Sequence, residues 1–270
     1  MPSLSRPGQT LTLHLSQEPA PAVTQTAASD AVWKDGDGVV VAFGGRNRAT
    51  RWMTVVGVGS FVFGDSAESV VAHPQPGVDD SLVEDAYRRT VLPLALQASG
   101  SEVLHASAVL TPPGVIALCA VSGTGKSTLA YALDVRGYPL WADDAVQFKV
   151  GSEQVDALPV PFTLRLKGEA ATKFGALPAG VQHSDASPLA GVFVLERGSG
   201  ATVTRLSSGD AFAAVLTHAY CFDLNDAERK RAMTDAYLRL CALVPVFHAT
   251  LPDGLERLDE SVDAILSTVA

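Results

Sequence analysis

The segment Ala120–Thr128, AVSGTGKST, constrains this chain more than any other. An apolar run, Gly114–Ala120 (GVIALCA), leads into it, and a helical pattern from Ser127 to Arg136 leads out until Gly137 stops it. Strand, glycine-rich turn and helix in that order make a phosphate loop, with Ala120 where the strict pattern has its first glycine. Gly123 and Gly125 let successive backbone N–H groups turn toward phosphate oxygens, and Ser122, Thr124 and Thr128 complete the cradle. The Lys126 ammonium then spans the β- and γ-phosphates, and Ser127 offers its hydroxyl to Mg²⁺. The helix aims its positive end at the same phosphates. A nucleoside triphosphate with Mg²⁺ is what such a loop holds. No Asn/Thr-Lys-x-Asp guanine-reading motif occurs, because Thr172-Lys173-Phe174-Gly175 lacks the Asp, which argues against a GTPase.

The rest of the chain divides around this loop. Its first hundred residues read as β-rich, with apolar runs at Gly38–Phe43, Thr54–Phe63 and Ser69–Ala72 cut by Gly and Asp turn signals. A Pro/Ala/Thr-rich stretch at Glu18–Ala28 reads as loop. From Asp80 a helical stripe of Leu82, Val83, Ala86, Tyr87 and Val91 runs until Pro93 kinks or ends it. A boundary near Gly100 follows, giving a small β-rich domain over 1–100 and an α/β domain over 101–270. In the second, Glu102–Leu110 and Gly114–Ala120 form a hairpin across Thr111-Pro112-Pro113. Strands are expected at Tyr138–Ala142, Phe162–Leu166 and Val192–Leu195, and helices at Gly209–Tyr220, Asp226–Leu243 and Leu255–Val269, the last with Asp253 and Glu256 as a capping box.

Composition narrows the partners. The longest apolar stretch, Val115–Val121, is far short of the ~18 residues a spanning helix requires, so no membrane association is expected. The N-terminus has no signal pattern, and Cys119, Cys221 and Cys241 read as buried thiols, which together suggest a cytoplasmic setting. A net charge of −9, with no basic cluster longer than Arg229-Lys230-Arg231, argues against sequence-independent nucleic-acid binding.

Several side chains are placed to serve the loop. Hairpin pairing of Leu110 with Val115 brings His105 opposite Ala120, at the mouth of the loop, as a phosphate or metal-shell residue. Asp143-Asp144 end the next strand at the ligand-binding edge of the sheet. One carboxylate can hold Mg²⁺ and the other can accept the proton of an attacking hydroxyl, as phosphoryl transfer to an alcohol requires. Glu196, after the stronger apolar strand Gly191–Leu195, is the rival acid. Arg165 and Arg197 are candidates for neutralising the transferring phosphoryl group.

Three blocks in order, LHASAV (Leu104–Val109), AVSGTGKSTLA (Ala120–Ala130) and RGYPLWADDAV (Arg136–Val146), resemble the kinase domain of the bacterial HPr kinase/phosphorylase family. The resemblance is firm over about Ser101–Val150 and fades toward Leu243. It implies a P-loop kinase core similar to phosphoenolpyruvate carboxykinase, and an ATP- and Mg²⁺-dependent transfer to a serine hydroxyl on a protein. By the same resemblance Lys126 and Ser127 bind nucleotide and metal, Asp143 is the general base, and His105 and Asp144 line the metal and phosphate site. The family's LExRG signature is not found at its usual distance; Arg165 in TLRLKG or the later LERG at Leu195–Gly198 stands nearest to it. With VWKDGDG at Val32–Gly38 and PLAGVFVLERG at Pro188–Gly198, the chain is more similar to HPr-kinase-like proteins that accompany ribosomally made peptides, among them lasso peptide precursor kinases. The sheet-bearing first domain could then offer an edge strand to such a peptide. Related kinases form rings, so a homo-oligomer is compatible with the resemblance. The expected function is an ATP-dependent serine kinase acting on a peptide or protein; the alternatives are an ATPase-type regulator using Glu196 and a kinase of small-molecule hydroxyls.

Overall fold

Short apolar runs punctuated by glycine and aspartate build a six-stranded sheet in the first part of the chain, in a computed structural model that describes residues 11–21, 31–34, 37–47, 50–64, 68–175, 183–223 and 225–269. Its strands are β1 (Thr12–Leu15), β2 (Ala31–Lys34), β3 (Val40–Asn47), β4 (Thr50–Val55), β5 (Gly59–Gly64) and β6 (Ser69–Pro74), in the order β1-β6-β5-β4-β3-β2. Only β1 runs parallel to its neighbour. The Thr54–Phe63 run, expected as one strand, folds back on itself: Val58 N–H closes a turn onto the Val55 carbonyl at 3.1 Å, and β4 pairs with β5. Strands β1 and β2 are too short and too polar to stand out in the sequence. Part of the Pro/Ala/Thr-rich stretch lies outside the described residues.

The helix from Asp80 does not end at Pro93. It passes from α1 (Asp80–Ala86) through a π-helical turn (Tyr87–Val91) into α2 (Leu92–Ala98). Leu92 N–H reaches back five residues to the Tyr87 carbonyl, and this wider turn makes room for the proline ring.

The chain forms two compact units, 1–101 with 220–230, and 102–219 with 231–270. The stretch 220–230 therefore returns to the first unit, where sequence reading gave everything after Gly100 to the second. Aromatic packing explains it: Phe222 lies 5.7 Å from the Trp33 ring and 5.5 Å edge-on from Phe63. Its N–H donates to Gln97 Oε1 at 2.9 Å, and Arg229 donates to the carbonyls of Gln97 and Ser101.

The second unit is built on a mixed sheet of nine strands. Strand β8 (Ala106–Thr111) pairs antiparallel with β9 (Gly114–Cys119), and β10 (Leu140–Ala142) lies outside β8. On the other side of β9, β13 (Ser187–Arg197) and β15 (Val246–Leu251) run parallel to it, and β14 (Thr202–Arg205) closes that edge. The start of β13 also pairs with β12 (Val155–Leu158), which leads to β11 (Val146–Val150) and β7 (Glu102–Leu104). Helices α3 (Lys126–Val135) and α7 (Leu258–Val269) pack on one face of the sheet, burying Leu129, Leu133, Ile116, Phe193, Val262 and Ile265 in one core. The remaining helices are α4 (Gly168–Phe174), α5 (Ser208–Leu216) and α6 (Ala227–Leu243). No helix of the described residues is long and apolar enough to cross a membrane.

Three sequence expectations change here. The strand Glu102–Leu110 is broken at His105, whose N–H leaves the sheet for the His218 carbonyl at 2.7 Å, so β7 and β8 pair with different neighbours. Residues Phe162–Leu166 alternate buried and exposed as a strand would, yet pair with none among the described residues; Phe162 and Leu164 simply fill the core. The Asp253/Glu256 capping box does not form, since Gly254 caps the short 3₁₀ turn Leu255–Arg257 without a side-chain bond.

The β8–β9 hairpin turns at Gly114, where φ is 140° and an added Cβ would sit 2.3 Å from the Pro188 carbonyl oxygen of β13. Gly114→Ala therefore combines backbone strain with a clash that β13 can relieve only by leaving the sheet. It is expected to cost roughly 2 kcal/mol or more, read as a lower urea midpoint for the second unit; a midpoint equal to the parent's would show that β13 does not approach this closely.

Candidate functional site

The glycine-rich loop owes its shape to two residues with left-handed backbones, Gly123 (φ 89°) and Gly125 (φ 113°), the latter capping α3. Helix α3 ends in a Schellman arrangement, with Tyr138 N–H on the Leu133 carbonyl at 3.0 Å and Gly137 in positive φ. Asp134 in its last turn accepts from Leu140 N–H at 3.1 Å, which ties the helix end to β10. A register shift in the β10–β8 pairing at Trp141 then re-aims the chain, as bulges do, and delivers Asp143 beneath the start of α3.

Asp143 is 6% exposed, and its Oδ1 accepts from Ser107 Oγ at 2.7 Å and Ser127 Oγ at 2.8 Å. Its Oδ2 faces Arg165 N–H at 3.4 Å, a donor left over because the Phe162–Leu166 segment has no strand partner. Burial, and next the charge of Asp144, push the Asp143 carboxyl above the usual range, against the pull of these donors. Asp144 is half-buried with φ 66°, the one non-glycine with positive φ among the described residues, a conformation that aspartate tolerates better than most.

Lys126 is 7% exposed and donates to the Ala120 carbonyl of its own loop at 2.7 Å. Burial lowers its pKa, while Asp144 is the largest influence in the opposite direction. His105 is pushed down to about 4, by burial first and then by the Lys126 ammonium, with Asp144 opposing and His218 and Lys167 adding. Lys126, His105 and Asp144 therefore feel one another's charge, and His218, 9% exposed, joins them. Cys119, buried at the end of β9, is raised to about 12 by burial and is not a nucleophile; Cys221 and Cys241 are half-buried free thiols, less enclosed than expected.

The arginines separate. Arg165 is exposed and meets Asp143 through its backbone N–H. Arg197 donates to the Pro252 carbonyl at 2.9 Å and places its guanidinium over the loop, 3.0 Å from where a Gly125 Cβ would stand. Glu196, the next residue along β13, pairs with His248 Nε2 at 2.9 Å and is 69% exposed. Strand alternation puts Glu196 on the sheet face opposite the one Leu195 and Arg197 share with α3, so it does not reach the loop.

Ser107, Lys167 and His218 were not singled out from sequence. Ser107 is the second residue of β8, whose hairpin partner β9 leads into the loop, a position that could have marked it; no local pattern marks Lys167 or His218.

Among the described residues no three His, Cys, Asp or Glu converge as a metal cluster. A phosphate-loop Mg²⁺ does not need one, because the phosphates and water supply most of its oxygens. Ser127 Oγ and Asp143 Oδ1, adjacent hard oxygen donors at the head of α3, fit that requirement.

No family profile matches the chain, and no curated protein matches it. Among solved structures it is similar to the HPr(Ser) kinase/phosphatase from Coxiella burnetii, at 15% identity over 62% of this chain and 90% of that one, with a TM-score of 0.33. Likeness at that level carries no weight for function; the geometry has to carry it.

His105 also sets a pH dependence. The unfolded chain takes up a proton at this residue near 6.5 and the folded chain only near 4, so stability present above 6.5 is lost as pH falls between the two. His218 shifts in the same direction. His105→Gln is expected to flatten the fall in urea midpoint between pH 7 and pH 5, measured without nucleotide; an unchanged slope would mean His105 is not held neutral.

Proposed function

We propose that this protein is an ATP- and Mg²⁺-dependent kinase that transfers the γ-phosphoryl group to a serine hydroxyl of a peptide or protein. The observation that carries the phosphotransfer reading is the convergence of Lys126, Ser127, Asp143, Asp144 and His105 at the head of one helix, behind a loop with two left-handed glycines. The serine acceptor, and a ribosomally made precursor peptide as its source, rest on the sequence resemblance alone.

In this reading the loop amides and the α3 N-terminus bind the phosphates, and Lys126 exchanges the Ala120 carbonyl for phosphate oxygens. Ser127 and Asp143 would hold Mg²⁺, which neutralises charge on the β- and γ-phosphates. The two acids then divide their work the other way round from the sequence expectation. Asp143 is buried and already accepts from two hydroxyls, which suits a fixed carboxylate beside Ser127. Asp144 is half-buried and electrostatically closest to Lys126 among the acids, which suits a base reached by the incoming hydroxyl. The acceptor oxygen bonds to the γ-phosphorus, the bond from that phosphorus to the β–γ bridging oxygen breaks, ADP keeps its electron pair, and the acceptor proton passes to Asp144. His105, held neutral by its surroundings, would meet the phosphate as an uncharged hydrogen-bonding ring.

The test pairs ATP binding with transfer to serine-containing peptides, free serine and water. Asp144→Asn is expected to keep Mg²⁺-dependent ATP affinity and lose transfer by at least about 100-fold, whereas Asp143→Asn should lose the Mg²⁺ dependence of binding itself. If Asp143→Asn kept that dependence and lost transfer, Asp143 would be the base after all. Hydrolysis of ATP at full rate without any hydroxyl acceptor would set the kinase reading aside.

A further inference from the structure

The sheet of the first unit has two unlike faces. The row Met53, Phe61 and Ala72, paired across β4, β5 and β6, is buried. The adjoining row points the other way and runs Phe43, Thr54, Ser60, His73, each the direct partner of the next across β3, β4, β5 and β6. This second row lines a cavity of about 780 Å³, in the size range of ligand sites. On its floor Thr54 Oγ1 and Ser60 Oγ share a hydrogen bond at 2.9 Å, and Ser60 is only 7% exposed. Two stretches of chain complete the lining. In residues 16–20, Ser16 N–H prolongs the β1–β6 pairing onto the Ala72 carbonyl, and the Glu18 carbonyl accepts from His73 Nδ1 at 3.0 Å. From Pro74 to Val78 a turn leads toward α1, with Val78 N–H on the Gln75 carbonyl and Gly77 in positive φ. Pro19, Pro74 and Pro76 restrict the backbone of both stretches, so the cavity is largely pre-formed.

The charge of the lining has one sign. Glu18 and Asp80 are exposed carboxylates, and among the described residues no Lys or Arg lines the cavity with them. Phe43 adds an aromatic ring, whose face attracts a cation. Gln17 and Gln75, also exposed, carry side-chain amides that can both donate to and accept from a peptide bond. From this arrangement we infer that the cavity binds an extended basic peptide segment, its Lys or Arg side chain drawn by Glu18, Asp80 and Phe43 and its backbone met by the hydroxyls and amides. Four neighbouring strands make the floor about 14 Å long, the reach of roughly four extended residues. A free amine or guanidine would answer the charge and leave most of that floor to water. The lining belongs wholly to the first unit, so nothing in the inference depends on the kinase reading.

NMR titration of the full chain, followed on the His73 ring protons, tests this with blocked tetrapeptide mixtures that carry one fixed arginine or one fixed glutamate. The arginine mixture is expected to shift the His73 signals and to bind at least about 5-fold more tightly than the glutamate mixture. The double variant Glu18→Gln with Asp80→Asn, which changes two exposed side chains, should lose that preference while keeping the circular dichroism of the parent. No shift at His73, equal affinity for the two mixtures, or a preference that survives in the double variant would each overturn the inference. Arginine amide binding as tightly as the arginine mixture would overturn it too, by making a free cation the occupant in place of a peptide.

Discussion

The second unit depends on one buried carboxylate. Asp143 Oδ1 takes hydroxyl hydrogens from Ser107 on β8 and Ser127 at the head of α3, so three elements far apart in sequence meet at one atom. Hydrogen bonds to a charged acceptor contribute about 1.5–3 kcal/mol each, which is set against the cost of burying the charge. That balance leaves the carboxyl's affinity for protons raised rather than lowered, because burial and the neighbouring Asp144 outweigh the donors. A cation beside Ser127 and Asp143 would favour the charged carboxylate.

The same holds on the cationic side. Lys126 is buried, its pKa is depressed by that burial, and its hydrogen bond goes to the Ala120 carbonyl of the loop itself. A carbonyl is a weaker partner for an ammonium than a phosphate oxygen. The Ala120 contact is therefore one that a phosphate oxygen could replace. Gly123 and Gly125 hold left-handed backbones, and the guanidinium of Arg197 above Gly125 leaves little room for a side chain there.

Much of this arrangement could be read from residues, and the reasons for what could not are local. The β8–β9 hairpin, its Leu110–Val115 register, the loop, and α3 stopped at Gly137 all follow from short-range turn, periodicity and capping chemistry. The break at His105 does not, because its cause is the His218 carbonyl more than a hundred residues on. Nor does the return of 220–230 to the first unit, which depends on where Phe222 finds Trp33 and Phe63. The Phe162–Leu166 segment shows the limit of periodicity: alternation reports which side is buried and not whether a neighbouring strand exists. That unpaired backbone is what leaves Arg165 N–H for Asp143, so an arginine chosen for its charge meets the acid through its amide. Glu196 failed as a rival for the opposite reason, since a better apolar strand delivered it to the wrong face.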